Sequence, residues 1–142
     1  MADKILVVDD EHIIRESLSF ILSKEGFEVS EAVNGKEAFE KFQEESFDLV
    51  STEIEMPEMK GIELLDKIIQ VSPQTIVVII TAYGSLETAI QALRKGASDY
   101  LLKPIEFDEI IVKINRLLEH KKLVVENQML RRELQRKYDF NN

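Results

Sequence analysis

Short apolar runs in this chain repeatedly end on residues that can do chemistry. The run 5–8 gives way to Asp9, Asp10 and Glu11. The run 47–54 carries Glu53 near its end, with Glu55 just beyond. The run 75–81 ends on Thr81, and 98–102 is followed by Lys103 and Pro104. Singly, each has a plain structural reading. An acid after a strand is more often a helix cap than a ligand, so Asp10 alone would cap a helix starting near His12. Thr81 alone is a β-branched strand residue, and Lys103 alone a solvated base. The conjunction points elsewhere. Paired aspartates are hard oxygen donors suited to Mg²⁺, which takes one or two carboxylates, waters and a phosphate oxygen. Crowded carboxylates repel one another without a cation. A hydroxyl and an ammonium are the donors that a transferred phosphoryl group requires. The expected chemistry is that of a divalent metal and a phosphoryl oxyanion. His12 and His120 are read as surface or cap residues, since neither has a second histidine at metal spacing.

These groups meet only if the chain brings the ends of its apolar runs to one edge. Strand-length segments at 5–8, 27–32, 47–54, 75–81 and 98–102 alternate with helical patterns at 13–24, 36–43, 62–71, 86–95 and from 107 onward. Ile13, Ile14, Leu18, Ile21 and Leu22 recur at helical spacing, with Gly26 where a C-cap would sit. Five strands alternating with helices predict right-handed crossovers and a doubly wound parallel sheet, an α/β fold with both faces covered. In such sheets ligands bind outside the carboxyl ends of the strands, where the polar set falls.

Composition narrows the function. The 142 residues carry 27 acids against 18 bases, a net charge of −9. That field repels phosphate backbones and anionic lipid, so direct nucleic-acid or membrane binding by this chain is not expected. There is no cysteine, which removes thiolate zinc sites and thiol nucleophiles. Apolar runs are far too short to span a bilayer, and no secretory signal is visible at the amino end; a cytoplasmic protein is expected.

The carboxyl-terminal segment differs. From Asp108 to about Lys137 there is neither Pro nor Gly, so one extended helix is predicted. Ile110, Ile111, Ile114, Leu117 and Leu118 would pack on the sheet. Beyond Glu119, Leu123, Asn127, Leu130 and Leu134 repeat at heptad spacing, a dimer seam with Asn127 as its register device. The seam spans only about two heptads, and a solvated helical linker is the other reading.

The Ile5–Asp10 stretch, Met56-Pro57 and Gly61, Thr81-Ala82, Tyr100 and Lys103-Pro104 resemble a response-regulator receiver domain of two-component signalling. The resemblance covers residues 1–120. It implies the flavodoxin-like strand order 2-1-3-4-5 and a sensor histidine kinase as partner. It implies a Mg²⁺ site of Asp9, Asp10, the residue at 53 and the backbone carbonyl of Glu55, with Lys103 pairing with the phosphoryl group. Thr81 and Tyr100 would be a switch pair, the hydroxyl moving toward the phosphoryl oxygens and the ring following inward. A cis Lys103–Pro104 bond is also expected. Glu126-Asn127, the stretch from Leu130 to Leu134, and Tyr138-Asp139-Phe140 resemble the linker to the AAA+ ATPase of sigma-54-dependent transcriptional activators of the nitrogen-regulation type. The domains are then a receiver (1–120), a helical linker and candidate coiled-coil dimerisation segment (121–137) and the start of a junction to an absent ATPase (138–142).

Position 53 departs from that pattern. The family carries its phosphoacceptor aspartate three residues before the Met-Pro step, and here that residue is Glu53. One more methylene moves the carboxylate outward by roughly 1.5 Å, which should suppress attack on phosphorus and bring Glu53 within reach of Lys103 or Thr81. Three readings are open: an engineered activation mimic, a natural receiver that signals without phosphorylation, and an inert substitution. The first is favoured, since every other site residue is intact, and partial activation is expected. The enzyme alternative is a Mg²⁺-dependent phosphohydrolase with an aspartyl nucleophile, but that chemistry wants a second aspartate two residues after the first, and Glu11 stands there. A flavin carrier would need a hydroxyl- or glycine-rich phosphate loop where this chain has an acidic one.

Overall fold

The computed structural model describes residues 2–141, with side chains through residue 137. In chain order it contains β1 (Lys4–Val8), α1 (His12–Lys24), β2 (Glu28–Ala32), α2 (Gly35–Glu44), β3 (Leu49–Thr52), α3 (Gly61–Val71), β4 (Ile76–Thr81), α4 (Leu86–Arg94), β5 (Asp99–Leu102) and α5 (Phe107–Asn141). The strands form one sheet in the order β2-β1-β3-β4-β5, every neighbouring pair parallel. This is the doubly wound α/β architecture expected, long final helix included.

Successive strand residues point to opposite faces, and two cores result. On one face Leu6, Val8, Val50 and Ile79 pack with Ala38 of α2 and Leu64, Leu65 and Ile68 of α3. On the other, Ile5, Val7, Leu49, Val78 and Ile80 pack with Leu18 and Leu22 of α1 and Ile110, Ile114 and Leu118 of α5. Each fully buried Leu or Ile contributes about 1.5–3 kcal/mol. With β3 and β4 buried along their whole length, the strand ends that carry polar groups are held rigidly. Ile13 departs from the predicted inward stripe of α1: it is 77% exposed, because it lies on the solvent side of the first turn, while Leu18 and Leu22 fill the core.

Helix starts follow side-chain capping in two places. Asn34 accepts from the Glu37 N–H at 2.8 Å to start α2, and Ser85 and Thr88 form a capping box at α4. Asp10 does not cap α1. The N-cap position is Glu11, without a side-chain bond, and the residue that accepts from this turn is Asp9, whose Oδ1 takes the Glu11 N–H at 2.9 Å. Gly61 opens α3 against the site: a Cβ there would stand 2.0 Å from the Glu53 carbonyl oxygen, and its N–H donates to the Ile54 carbonyl at 2.8 Å. Only a residue with no side chain permits that approach.

Helix α5 crosses residues 120 and 121 without interruption. At 1.5 Å per residue its 35 residues run roughly 50 Å. Below the sheet, Lys122 Nζ lies 3.0 Å from Asp3 and Lys121 Nζ 3.5 Å from the Asp48 carbonyl. At 3.6 residues per turn, Leu123, Asn127, Leu130 and Leu134 fall on the helix side roughly opposite Leu118 and Val125. All four are exposed, the leucines at 58%, 54% and 67%. The side chains of the expected junction 138–142 lie outside the described residues.

Candidate functional site

Polar groups from four strand ends converge, with the carboxylates of two of them on one ammonium. Asp9 leaves β1 with its carboxyl group 7% exposed. Its Oδ1 takes the Glu11 N–H, its Oδ2 accepts from Lys103 Nζ at 2.9 Å, and its carbonyl accepts from Arg15 at 2.9 Å. Glu53 follows β3 directly and is 1% exposed; its N–H donates to the Val8 carbonyl at 3.1 Å, which fixes it beside β1. Oε1 of Glu53 accepts from the Thr81 hydroxyl and from the Ile54 N–H at 2.9 Å. Oε2 is paired with Lys103 Nζ at 2.7 Å, a charge–charge contact without the alignment of a directed hydrogen bond. Lys103 itself is tied to β4 through its N–H, which donates to the Thr81 carbonyl at 2.9 Å, and the Lys103–Pro104 bond is cis.

Burial disfavours charge on either partner. It holds the Asp9 carboxyl above the ordinary carboxylate value, with the Lys103 hydrogen bond and the Glu11 N–H pulling the other way. Burial also works against the Lys103 ammonium, but the contacts with Glu53 and Asp9 outweigh it and leave Lys103 above the usual lysine value.

The other predicted groups are placed differently. Asp10 is exposed. Glu55 is exposed too, its carboxylate 3.5 Å from Lys60. Tyr100 is half-buried against the β3–α3 core, its phenol 2.8 Å from Thr88 Oγ1. Arg15 escaped the sequence reading. Its guanidinium, on a side chain 11% exposed, pairs with Glu31 at 3.1 Å while holding the Asp9 carbonyl. The available signal was a lone arginine one helical turn beyond an acidic run.

The donor set suits a hard divalent cation in kind: carboxylates and a main-chain carbonyl. In arrangement, Lys103 is the cation between the two buried acids. Among the described residues no three acidic or histidine side chains are grouped for ligation. Both oxygens of the Glu53 carboxylate are thus occupied, on an ammonium and a hydroxyl that can neutralise and hydrogen-bond an oxyanion.

Residues 5–115 match the family model described as response regulator receiver domain. The chain is 44% identical over 119 residues to the transcriptional regulatory protein ZraR of Klebsiella oxytoca, covering 84% of this chain and 27% of that protein. It is 43% identical over 119 residues to the chemotaxis protein CheY of Bacillus subtilis, covering 83% and 99%. The crystal structure of NtrX from Brucella abortus superposes with a TM-score of 0.86 at 39% identity, over 92% of this chain and 30% of that one. The chain therefore spans about a quarter of the length of the ZraR relative and nearly the whole of the CheY relative.

Proposed function

Since the chain belongs to the response regulator receiver domain family, we propose that it is the receiver of a sigma-54-type transcriptional activator in which Glu53 partly imitates the phosphorylated state. The observation that carries this reading is the double contact of Glu53. Its carboxylate touches Lys103 and Thr81, the two groups that would bind a phosphoryl oxygen.

With aspartate at position 53, a carboxylate oxygen would attack the phosphorus of a kinase phosphohistidine. The O–P bond forms, the P–N bond breaks, and the electron pair leaves on the imidazole. Lys103 and Thr81 then hold phosphoryl oxygens. Asp9 and Asp10, with the Glu55 carbonyl and the residue at 53, would hold Mg²⁺, which supplies charge neutralisation. Glu53 substitutes only in part: one negative charge stands for about −1.5 to −2 and three acceptor oxygens. Moving a two-state equilibrium from 1:99 to 99:1 takes about 5.5 kcal/mol, more than one buried ion pair supplies once the desolvation of both groups has offset most of its attraction. Two populated states are therefore expected, seen as relaxation dispersion at the amides of Thr81, Tyr83 and Tyr100. A single population superimposable on that of the Glu53→Asp variant would refute the mimic.

Output runs through α5. Its Leu123, Asn127, Leu130 and Leu134 face away from the domain and are exposed, which supports pairing with a second copy. That would place two attached ATPases, in a longer protein, in fixed relation. Sedimentation of this chain should show concentration-dependent dimers, lost on Leu130→Asp. A chain that stays monomeric throughout the micromolar range rules the seam out.

A further inference from the structure

We propose that Thr88 is a positioning residue for Tyr100: its hydroxyl captures the phenol and ties the ring to the amino end of α4. The inference rests on the reading of Thr81 and Tyr100 as a switch pair, and it adds what holds the ring once it has moved.

Thr88 occupies the third position of α4 and shares the capping box with Ser85. Its N–H donates to Ser85 Oγ at 3.1 Å, and the Ser85 N–H donates to Thr88 Oγ1 at 3.1 Å. A hydroxyl has one proton and two lone pairs. The Thr88 proton goes to Ser85, whose carbonyl and Oγ lie at 3.1 and 2.9 Å. That leaves the second lone pair for Tyr100, whose O–H is the donor at 2.8 Å. Among the described residues the phenol has no other hydrogen bond.

The same short loop is tied to position 53. The Thr81 hydroxyl donates to Glu53 and accepts from the Tyr83 N–H at 3.0 Å. Only residues 82–87 separate that hydroxyl from the one on Thr88. Gly84 lies between them. A Cβ there would meet Leu102 Cδ2 at 2.2 Å and Tyr100 OH at 3.3 Å, so the bare backbone is what lets the phenol lie against the loop. Hydrogen bonds join the carboxylate to the loop through Thr81 and the helix cap to the ring through Thr88, and the short backbone between Tyr83 and Ser85 couples the two sets; helix capping alone does not require Thr88 to touch Tyr100.

Fluorotyrosine labelling and ¹⁹F NMR read the ring directly, with resonances assigned by single Tyr→Phe variants and Tyr83, 60% exposed, as the solvent reference. Thr88→Val keeps the shape and removes the hydroxyl. Loss of one hydrogen bond should shift the inward-to-outward ratio of Tyr100 about three- to tenfold, moving its resonance toward that of Tyr83. Thr88→Ser should restore the original position, and Ser85→Ala, which weakens the cap but spares the Thr88 hydroxyl, should leave it unchanged. The proposal is overturned if Thr88→Val leaves the resonance in place, if Thr88→Ser behaves like Thr88→Val, or if Ser85→Ala shifts the ring equally. Thr81→Ala and Glu53→Asp test the underlying reading separately: if neither moves Tyr100, the switch pair fails, whatever Thr88 does.

Discussion

Lys103→Met should destabilise the chain by about 3–5 kcal/mol at pH 7, the usual effect of removing one partner from a buried charge cluster. Lys103 Nζ is 2.9 Å from Asp9 and 2.7 Å from Glu53, and all three side chains are at most 7% exposed. Methionine preserves most of the volume, so packing loss is small and the deficit is electrostatic: two carboxylates face each other in a poorly hydrated pocket. The pH dependence gives the sign. The folded-state pKa of Asp9 already lies above its ordinary value through burial, and losing the ammonium moves it further up. Between the unfolded and folded values the folded state binds more protons, so stability falls as pH rises through that window. The variant should regain stability as the pH is lowered from neutrality toward the ordinary carboxylate value of 3.8. Lys103 itself has a raised folded-state pKa. Its contribution is complete below the unfolded value of 10.5 and is lost as pH rises through the folded one, so the gap between the two proteins should narrow above pH 10.5. Urea titration across this range is the measurement. Lys103→Met combined with Glu53→Gln should recover part of the loss, because it ends the repulsion between the two carboxylates while Asp9 still lacks its cation. A single-variant loss under about 1 kcal/mol would mean that the acids are solvated and the cluster is not closed.

That cluster was legible in the sequence as residue types at strand ends, because the sheet is parallel and every strand delivers its carboxyl end to one edge. Asp9, Glu53, Thr81 and Lys103 meet for that reason. The partner each one chooses was not legible. Spacing does not tell whether the carboxylate at 53 lies on a lysine, a hydroxyl or a metal; the structure puts it on the first two. Ile13 was likewise grouped with Leu18 and Leu22 from the sequence, but at 3.6 residues per turn it lies about 140° and 180° round α1 from them, on the solvent side. Arg15 and Thr88 were invisible for a shared reason. Each acts through contacts across elements, Arg15 on the Asp9 carbonyl and Glu31 and Thr88 on the Tyr100 phenol, and no local pattern encodes contacts of that kind. The set Leu123, Asn127, Leu130 and Leu134 was visible as a period, and its exposure on the far side of α5 follows from the same period that buries Ile110, Ile114 and Leu118.

Glu53→Asp should accelerate phosphoryl uptake from acetyl phosphate in the presence of Mg²⁺ by at least about 100-fold, since a misplacement near 1 Å costs that much in a reaction demanding aligned atoms. The extra methylene shifts the carboxylate by roughly 1.5 Å. In the present chain that shift is locked in, with Oε1 held by Thr81 and the Ile54 N–H and Oε2 by Lys103. A shorter side chain withdraws its oxygens from Lys103 and Thr81 and frees both for the incoming oxyanion. The attacking oxygen then forms its bond to phosphorus as the acyl P–O bond breaks and acetate leaves with the electron pair. Intact-protein mass spectrometry would show one added phosphoryl group on the variant and little on the present chain over the same interval. Glu53→Gln separates geometry from charge: it keeps the length, loses the pairing with Lys103, and should be neither labelled nor shifted toward the activated population. If the present chain were labelled as fast as Glu53→Asp, the carboxylate would have to leave Lys103 and Thr81 easily. Contacts that weak could not bias the switch, so rapid labelling and partial mimicry exclude each other.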